Sequence, residues 1–423
     1  MIELSVKIEI DGIFTEVGAI TGKTHHDAVF AYSDEYLGNP ISRPISLGLP
    51  LVKKVFDPAS TRTFFEGLLP EGFIRQSVAS ALRAAPDDYI TILKELGSEC
   101  LGAIKITDTA KRPVKSDYRP LSLTAIKALA KEGATRSAAL LVKAHLSLTG
   151  ASGKVGLYYD EDSGKWYLPK GDAPSTHIVK QSHVRLENIV INEQLCLLTA
   201  GRLGIRTPDS FIVETGSNTD DNVLFATRRY DRLINSGTRI INGLRAPFRL
   251  HQEDFAQALG IPAVQKYEHA GGDYLKRMFN MIRSFSANPL EDQLALWKIC
   301  VFNFLVGNTD NHIKNISVVY SSDLKTIRLA PAYDIISTRI YKNSSEDMSL
   351  GINGKYRIRT IGREDFEFEA KHVGLGRIVA MNIFDELNDG FVPMLREASE
   401  ELADKGFDQA SVLAKKIIKY STK

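Results

Sequence analysis

Glu291-Asp-Gln-Leu-Ala-Leu-Trp-Lys-Ile-Cys-Val-Phe-Asn-Phe-Leu-Val306 leads directly into Gly307-Asn-Thr-Asp-Asn-His-Ile-Lys-Asn315 and then Ile316-Ser-Val-Val-Tyr320. The first segment predicts a helix, with Leu294, Trp297, Val301 and Leu305 on one apolar stripe. Gly307-Asn308 is a C-terminal stop signal for that helix. Residues 316–320 and Thr326-Ile-Arg-Leu-Ala330 predict two short strands joined by a polar turn around Ser321-Ser-Asp-Leu-Lys325. An antiparallel hairpin returns the chain to where it started. Asp310 before it, Asn315 at its entrance and Asp334 in Ala332-Tyr-Asp-Ile-Ile336 after it are therefore gathered at one end.

An Asp, an Asn five residues later and a second Asp beyond a hairpin are the parts that phosphoryl transfer uses. Asp310 would orient or deprotonate an attacking hydroxyl, while Asn315 and Asp334 would hold Mg²⁺ on the phosphates of ATP. The same residues are also good loop and capping chemistry, so this set alone leaves both readings open. Two upstream features bear on the choice. Ser147-Leu-Thr-Gly-Ala-Ser-Gly-Lys154 is rich in glycine and hydroxyls and runs into a strand. Backbone N–H groups of Gly150, Ala151, Ser152 and Gly153 would form an anion-binding nest, with Lys154 adding charge; the alternative is a plain hairpin turn. It is not a Walker A loop, because Leu148 and Val155 stand where that motif needs Gly and Ser or Thr. Lys180 ends the expected strand His177-Ile-Val-Lys180, and Glu193 on the following helix is its candidate partner. The plainer alternative is a snorkelling strand-end lysine. The order of these features is the order found in kinases.

The 423 residues suffice for two or three domains with sizeable cores. A composition of 43% hydrophobic and 25% charged residues is ordinary for a globular protein, and a net charge of +2 gives no global electrostatic case for nucleic acid or membranes. Cys100, Cys196 and Cys300 are odd in number and lack CxxC spacing, which fits buried thiols in a reducing compartment. The first residues lack a signal-peptide pattern, and the apolar run of residues 297–306 is too short to span a bilayer, so a cytoplasmic protein without membrane partners is expected.

Residues 1–108 read as a small α+β unit, with a strand at residues 5–10 and helices over 62–69 and 73–82. Residues 109–143 read as a linker and helical connection, opened by the polar, basic stretch from Thr107 to Asp117. Residues 144–250 are strand-rich, at 155–159, 166–168, 177–180 and 224–227, and are interrupted by a helix over 187–203 with Ile191, Leu195 and Leu198 facing inward. Residues 251–423 read as mainly helical except for the one hairpin. The expected class is α+β: a two-lobed, kinase-like fold with a sheet-rich N-terminal lobe, which includes the small N-terminal subdomain, and a mainly helical C-terminal lobe.

Nearly the whole chain resembles the HipA-type serine/threonine kinases, toxins of bacterial type II toxin–antitoxin pairs. The resemblance rests on Phe64-Phe-Glu-Gly-Leu-Leu-Pro-Glu-Gly72, Pro86-Asp-Asp-Tyr89, Leu96-Gly-Ser-Glu-Cys-Leu-Gly-Ala103, the 147–154 loop, Tyr167–Lys180, Arg229-Tyr-Asp-Arg232, Gln252-Glu-Asp254, Asn308–Asn315 and Leu329–Asp334. It implies Asp310 as catalytic base and Asn315 and Asp334 as Mg²⁺ ligands. Lys180 would contact the phosphates, Arg228 and Tyr230 the adenine, and His312 and Lys314 would also face the nucleotide. Ser147 falls where the family autophosphorylates, an addition that would repel a loop built for phosphates. The resemblance further implies ATP and Mg²⁺ as cofactors, growth inhibition, and a HipB-like helix-turn-helix antitoxin through which DNA is contacted. It also implies a protein substrate, aminoacyl-tRNA synthetases being family examples. Ser152-Gly153 and Arg228 depart from the usual family pattern. A small-molecule kinase of the aminoglycoside or choline type shares the Asp310, His312 and Asn315 spacing, and a catalytically inert antitoxin-binding co-repressor is the non-enzymatic alternative.

Overall fold

The computed structural model describes residues 2–110, 114–144, 153–182, 186–235 and 237–421. The chain forms two compact units: residues 1–181, 226–263 and 319–326, and residues 182–225, 264–318 and 327–423. This division cuts across the consecutive segments 1–108, 109–143, 144–250 and 251–423.

In the first unit, alternating apolar residues build β1 (Ile2–Ile10) and β2 (Ile13–Gly22), joined by Asp11-Gly12 with φ of 49° and 83°. Positive φ at both positions matches the twist of a two-residue hairpin turn. With β3 (Val29–Tyr32), β4 (Val55–Phe56) and β5 (Ile104–Asp108) they form an antiparallel sheet of order β4-β3-β2-β1-β5. Three helices follow β4: α1 (Pro58–Glu66), α2 (Gly72–Leu82) and α3 (Tyr89–Leu96). α1 begins earlier than its apolar residues suggest, because Asp57 caps the Ser60 N–H and Pro58 fits the first turn. Its Phe65 packs 5.2 Å from the ring of Phe30 on β3.

A second sheet of the same unit has the order β11-β9-β7-β8-β6, from β6 (Asp117–Pro120), β7 (Lys154–Asp160), β8 (Lys165–Lys170), β9 (His177–Gln181) and the second half of β11 (Val223–Arg228). Helix α4 (Leu123–Ala144) packs on β7 and kinks at Gly133, where φ is 60°. The short β12 (Gln252–Asp254) lies in the same unit but outside this sheet. Ser147, Gly150, Ala151 and Ser152 lie outside the described residues.

The second unit is mainly helical. Helix α5 (Ile189–Arg202) buries Ile191 and Leu195 but leaves Leu198 half exposed, which corrects its expected inner face. β10 (Ser210–Glu214) turns back into β11. Helices α6 (Tyr274–Phe285) and α7 (Pro289–Val306) precede the hairpin of β13 (Ser317–Tyr320) and β14 (Ile327–Leu329). α7 is not the one-striped helix expected. Leu296, Ile299, Cys300, Phe302 and Val306 are as buried as Trp297, Val301 and Leu305, while Leu294 is half exposed. The cause is packing on two sides, against α6 and against α9 (Arg377–Asp404), whose Ala380 carbonyl accepts from Trp297 Nε1 at 2.9 Å. A second hairpin, β15 (Asp347–Ile352) and β16 (Lys355–Arg357), interrupts the region expected to hold only one. Helices α8 (Arg363–His372), α9 and α10 (Gln409–Ser421) complete the unit. Among the described residues no helix is long and apolar enough to cross a membrane.

Candidate active site

Gly307 ends α7 in the left-handed conformation, with φ of 71° and its N–H on the Asn303 and Phe304 carbonyls. A chain of buried amides carries the helix end into the loop beyond. Asn303 donates to the Ile299 carbonyl (2.8 Å), Asn308 donates to Asn303 Oδ1 (2.7 Å), and Asp310 N–H donates to Asn308 Oδ1 (3.1 Å). Thr309 is held beside it: its N–H donates to Thr338 Oγ1 (2.8 Å), and its carbonyl accepts from Ser349 Oγ on β15 (2.6 Å). Buried hydrogen bonds of this kind fix one loop conformation, since each unmade one costs more than a made one gains.

The loop presents Asp310 at the wall of a cavity of about 710 Å³ that Tyr267, Thr309, Thr338, Ser344 and Met348 also line. The Tyr267 hydroxyl donates to Asp310 Oδ1 at 2.8 Å and so sets the carboxylate's orientation. Asn315 Nδ2 donates to the Asp310 carbonyl (3.0 Å), and the Asp310 carbonyl also accepts from His312 N–H (2.9 Å). The two ends of the hairpin are tied next to their functional residues. The Tyr333 hydroxyl donates to the Lys314 carbonyl (3.1 Å) and shares a hydrogen bond with Ser317 Oγ (2.6 Å). Asp334 itself takes φ of 56°, a left-handed conformation uncommon outside glycine and tolerated best by Asn and Asp. Just beyond it, Asn192 on α5 clamps Ser337 through both its amide and its carbonyl, each at 3.0 Å. His312 and Lys314 are buried, and the His312 ring meets Tyr267 edge-on at 5.3 Å. Asn315 and Asp334 offer an amide oxygen and a carboxylate, hard donors suited to Mg²⁺. The Asn315 bond to the Asp310 carbonyl uses only its nitrogen, which leaves the oxygen for that task.

The phosphate-handling candidates belong to the first unit. Lys154 on β7 and Lys180 on β9 are register partners, so both side chains stand on one face of the sheet. Like charges on one rung repel, and a polyphosphate between them would convert that repulsion into attraction. Lys180 is buried and Lys154 half-buried. Arg228 is exposed and pairs with Glu161 at 2.7 Å, while the Tyr230 hydroxyl bonds Gln252 Oε1. The neighbouring Arg229 and Asp231, in the turn that follows β11, are buried. Gly153 is buried.

Sequence reasoning missed Tyr267, Thr309, Thr338 and Asn192. Asn303, a lone amide inside the apolar run Val301-Phe-Asn-Phe-Leu305, was the one local signal of the buried relay.

These elements define a class, the HipA-type kinases: residues 9–107 match the HipA N-terminal domain and residues 146–394 the HipA-like C-terminal domain. The chain belongs to the HipA family. It is 31% identical over 403 residues to the putative kinase Y4mE of Sinorhizobium fredii, covering 94% of this chain and 92% of that protein. To the serine/threonine-protein kinase toxin HipA of Shewanella oneidensis it is 26% identical over 305 residues, 69% of this chain and 66% of that one. The structure overlays on the Shewanella oneidensis toxin–antitoxin complex of HipA, HipB and operator DNA with a TM-score of 0.79 at 20% identity. That match covers 99% of this chain and 96% of the other, and it confirms the mixed α and β fold.

Proposed function

We propose that the protein is an ATP- and Mg²⁺-dependent kinase that phosphorylates a serine or threonine hydroxyl of another protein and so restrains growth. The observation that carries this reading is the Asp310 carboxylate, oriented by Tyr267 at the wall of a cavity and tied through its own carbonyl to Asn315. Bound Mg²⁺–ATP would supply the phosphoryl group and neutralise its charge. Asp310 positions the incoming hydroxyl and takes its proton; Asn315 and Asp334 hold the metal. Lys154 and Lys180 bind the phosphates, His312 and Lys314 line the nucleotide, and the backbone at Arg228 and Tyr230 receives the adenine. In this reading residues 1–108 are the N-terminal subdomain, 109–143 the connection, 144–250 the nucleotide-binding part and 251–423 the lobe with the catalytic loop. The protein works in the cytoplasm, is switched off by phosphorylation of Ser147 and is neutralised by a HipB-like antitoxin.

Asp310→Asn tests the core of this proposal. Label transfer from γ-labelled ATP should fall by roughly 10²–10⁴-fold, the usual contribution of a general base, with the circular dichroism spectrum unchanged and ATP·Mg²⁺ binding retained by calorimetry. Full activity in that variant overturns the assignment. Absence of nucleotide binding in the wild-type chain would leave the inert co-repressor as the better reading. Label on Ser147, lost in Ser147→Ala, tests the switch separately.

A further inference from the structure

A second cluster of chemistry-bearing side chains lies in the first unit, in the turn between β2 and β3. Asp27 ties this turn together, accepting from the N–H groups of Lys23 (3.1 Å) and Thr24 (2.6 Å) and from the Thr24 hydroxyl (2.7 Å). Thr24 Oγ1 in turn accepts from His26 N–H at 3.3 Å. The backbone that carries His25 and His26 is thus fixed, and their rings stand 3.9 Å apart between centroids. Facing them is the connection from α2 to α3. Its Asp88 caps α3, accepting from the Thr91 N–H (3.0 Å) and hydroxyl (2.6 Å). The His25 ring lies between two carboxylates, with Nε2 3.6 Å from Asp87 Oδ2 and Nδ1 3.6 Å from Asp88 Oδ1. His25 Nε2 is closed off from solvent and makes no hydrogen bond. One ligand atom each from His25, His26 and Asp87 lies within 4.8 Å of the others.

We propose that His25, His26 and Asp87 bind a divalent cation of the Zn²⁺ class, with Asp88 as the outer carboxylate that orients His25. Two imidazole nitrogens and one carboxylate oxygen form a donor set that suits Zn²⁺, Co²⁺ or Ni²⁺ rather than Mg²⁺. Around a tetrahedral ion with bonds of about 2.0–2.1 Å, ligand atoms stand about 3.3 Å apart. The observed His25–Asp87 separation of 3.6 Å needs only a few tenths of an ångström of closure. A carboxylate behind the second ring nitrogen is the usual support of a metal-binding histidine, since it fixes both tautomer and ring direction. An ion pair between a protonated His25 and the two aspartates explains those three residues but not the second imidazole set against the first, tilted by 43°. A second imidazolium there would repel, whereas a metal ion draws both rings to one point. The fourth position is left to water. Bound in this way, the ion clasps the β2–β3 turn to the α2–α3 connection.

The full chain, free of any polyhistidine tag and stripped with chelator, is titrated with Co²⁺ alone. One equivalent should bind with the visible absorption of four- or five-coordinate Co²⁺, be displaced by Zn²⁺, and raise the melting temperature. His25→Ala and His26→Ala should abolish the absorption, and Asp87→Asn and Asp88→Asn should each weaken binding about tenfold or more. Asp334→Asn should leave the signal intact, which separates this site from the candidate active site. All four positions lie in or beside surface turns, and circular dichroism of each variant confirms its fold. No Co²⁺ spectrum, a spectrum indifferent to His25→Ala, or one lost in Asp334→Asn would overturn the proposal.

Discussion

Tyr267 stands 43 positions before the aspartate it orients, and no pattern around it announces the contact. The residue is 43% exposed, so the hydroxyl's work is directional rather than a matter of core packing. A hydrogen bond to an ionised carboxylate favours the charged form. In Tyr267→Phe that support disappears while the ring and its edge-on contact with His312 remain. Phosphoryl transfer should fall about tenfold in kcat, the equivalent of one charge-assisted hydrogen bond, with the KM for ATP unchanged. A merely structural tyrosine would not lower kcat without also lowering the melting temperature.

At the scale of elements, the turn end of the β13–β14 hairpin, residues 319–326, belongs to the first unit and is held within it. The Tyr320 N–H donates to the His251 carbonyl (2.9 Å) and its hydroxyl to Glu253 Oε1 (2.5 Å), beside donors from Ser46 Oγ (2.5 Å) and Leu47 N–H (3.0 Å). Burial pushes the Glu253 carboxyl up, and these donors pull it only part of the way back, to about 7 from an ordinary 4.5. Between those values the folded protein keeps a proton that the unfolded chain loses, so stability declines as pH rises through the window and levels off above it. Glu253→Gln removes the titration. Its melting temperature should stay flat from about pH 5 to 8 while the wild type falls, by up to roughly 3 kcal/mol in stability; parallel curves would refute this. The hairpin itself was legible in the sequence, as were α7 and its Gly307 stop, because periodicity and turn glycines are local signals. The second hairpin carried one as well, Asn353-Gly354 with φ of 53° and 69°, the residues a two-residue turn prefers. The packing of α7 on two sides was not legible, since one apolar stripe looks the same until a second partner helix arrives. Nor were Tyr267 and Thr338, whose partners are set by tertiary folding. The motif residues were readable and their supports were not.

At the scale of the whole molecule, the two stretches that match separate family domains share one buried charge network within the first unit. Glu9 and Glu99 come from the N-terminal match, and Arg229, Asp231, Arg232 and Arg249 from the C-terminal one. Arg249 bridges Glu9 (2.8 Å) and Glu99 (2.6 Å), Arg232 also reaches Glu99 (2.8 Å), and Arg229 pairs with Asp231 (2.7 Å). All six side chains are at most 4% exposed, and three cations balance three anions. Burial alone would raise the Glu99 carboxyl, but Arg249, Arg232 and Arg229 outweigh it and hold it down at about 2. Its contribution is therefore present above about 4.5, the ordinary carboxylate value, and is lost as pH falls toward 2. Removing one partner from such a network strands buried charge, at a cost of about 3–5 kcal/mol. Arg249→Met, which leaves Glu9 and Glu99 facing fewer cations, should lose that much in urea unfolding at pH 7. Deleting residues 1–107 is more severe, because three guanidiniums then retain only Asp231. The remaining 108–423 chain expressed alone should consequently be insoluble or lack a near-ultraviolet circular dichroism signal. A cooperatively folding, soluble 108–423 fragment would mean that the segment around Arg229 does not depend on the N-terminal sheet. The expected failure would mean that the N-terminal residues are a folding requirement of the second sheet.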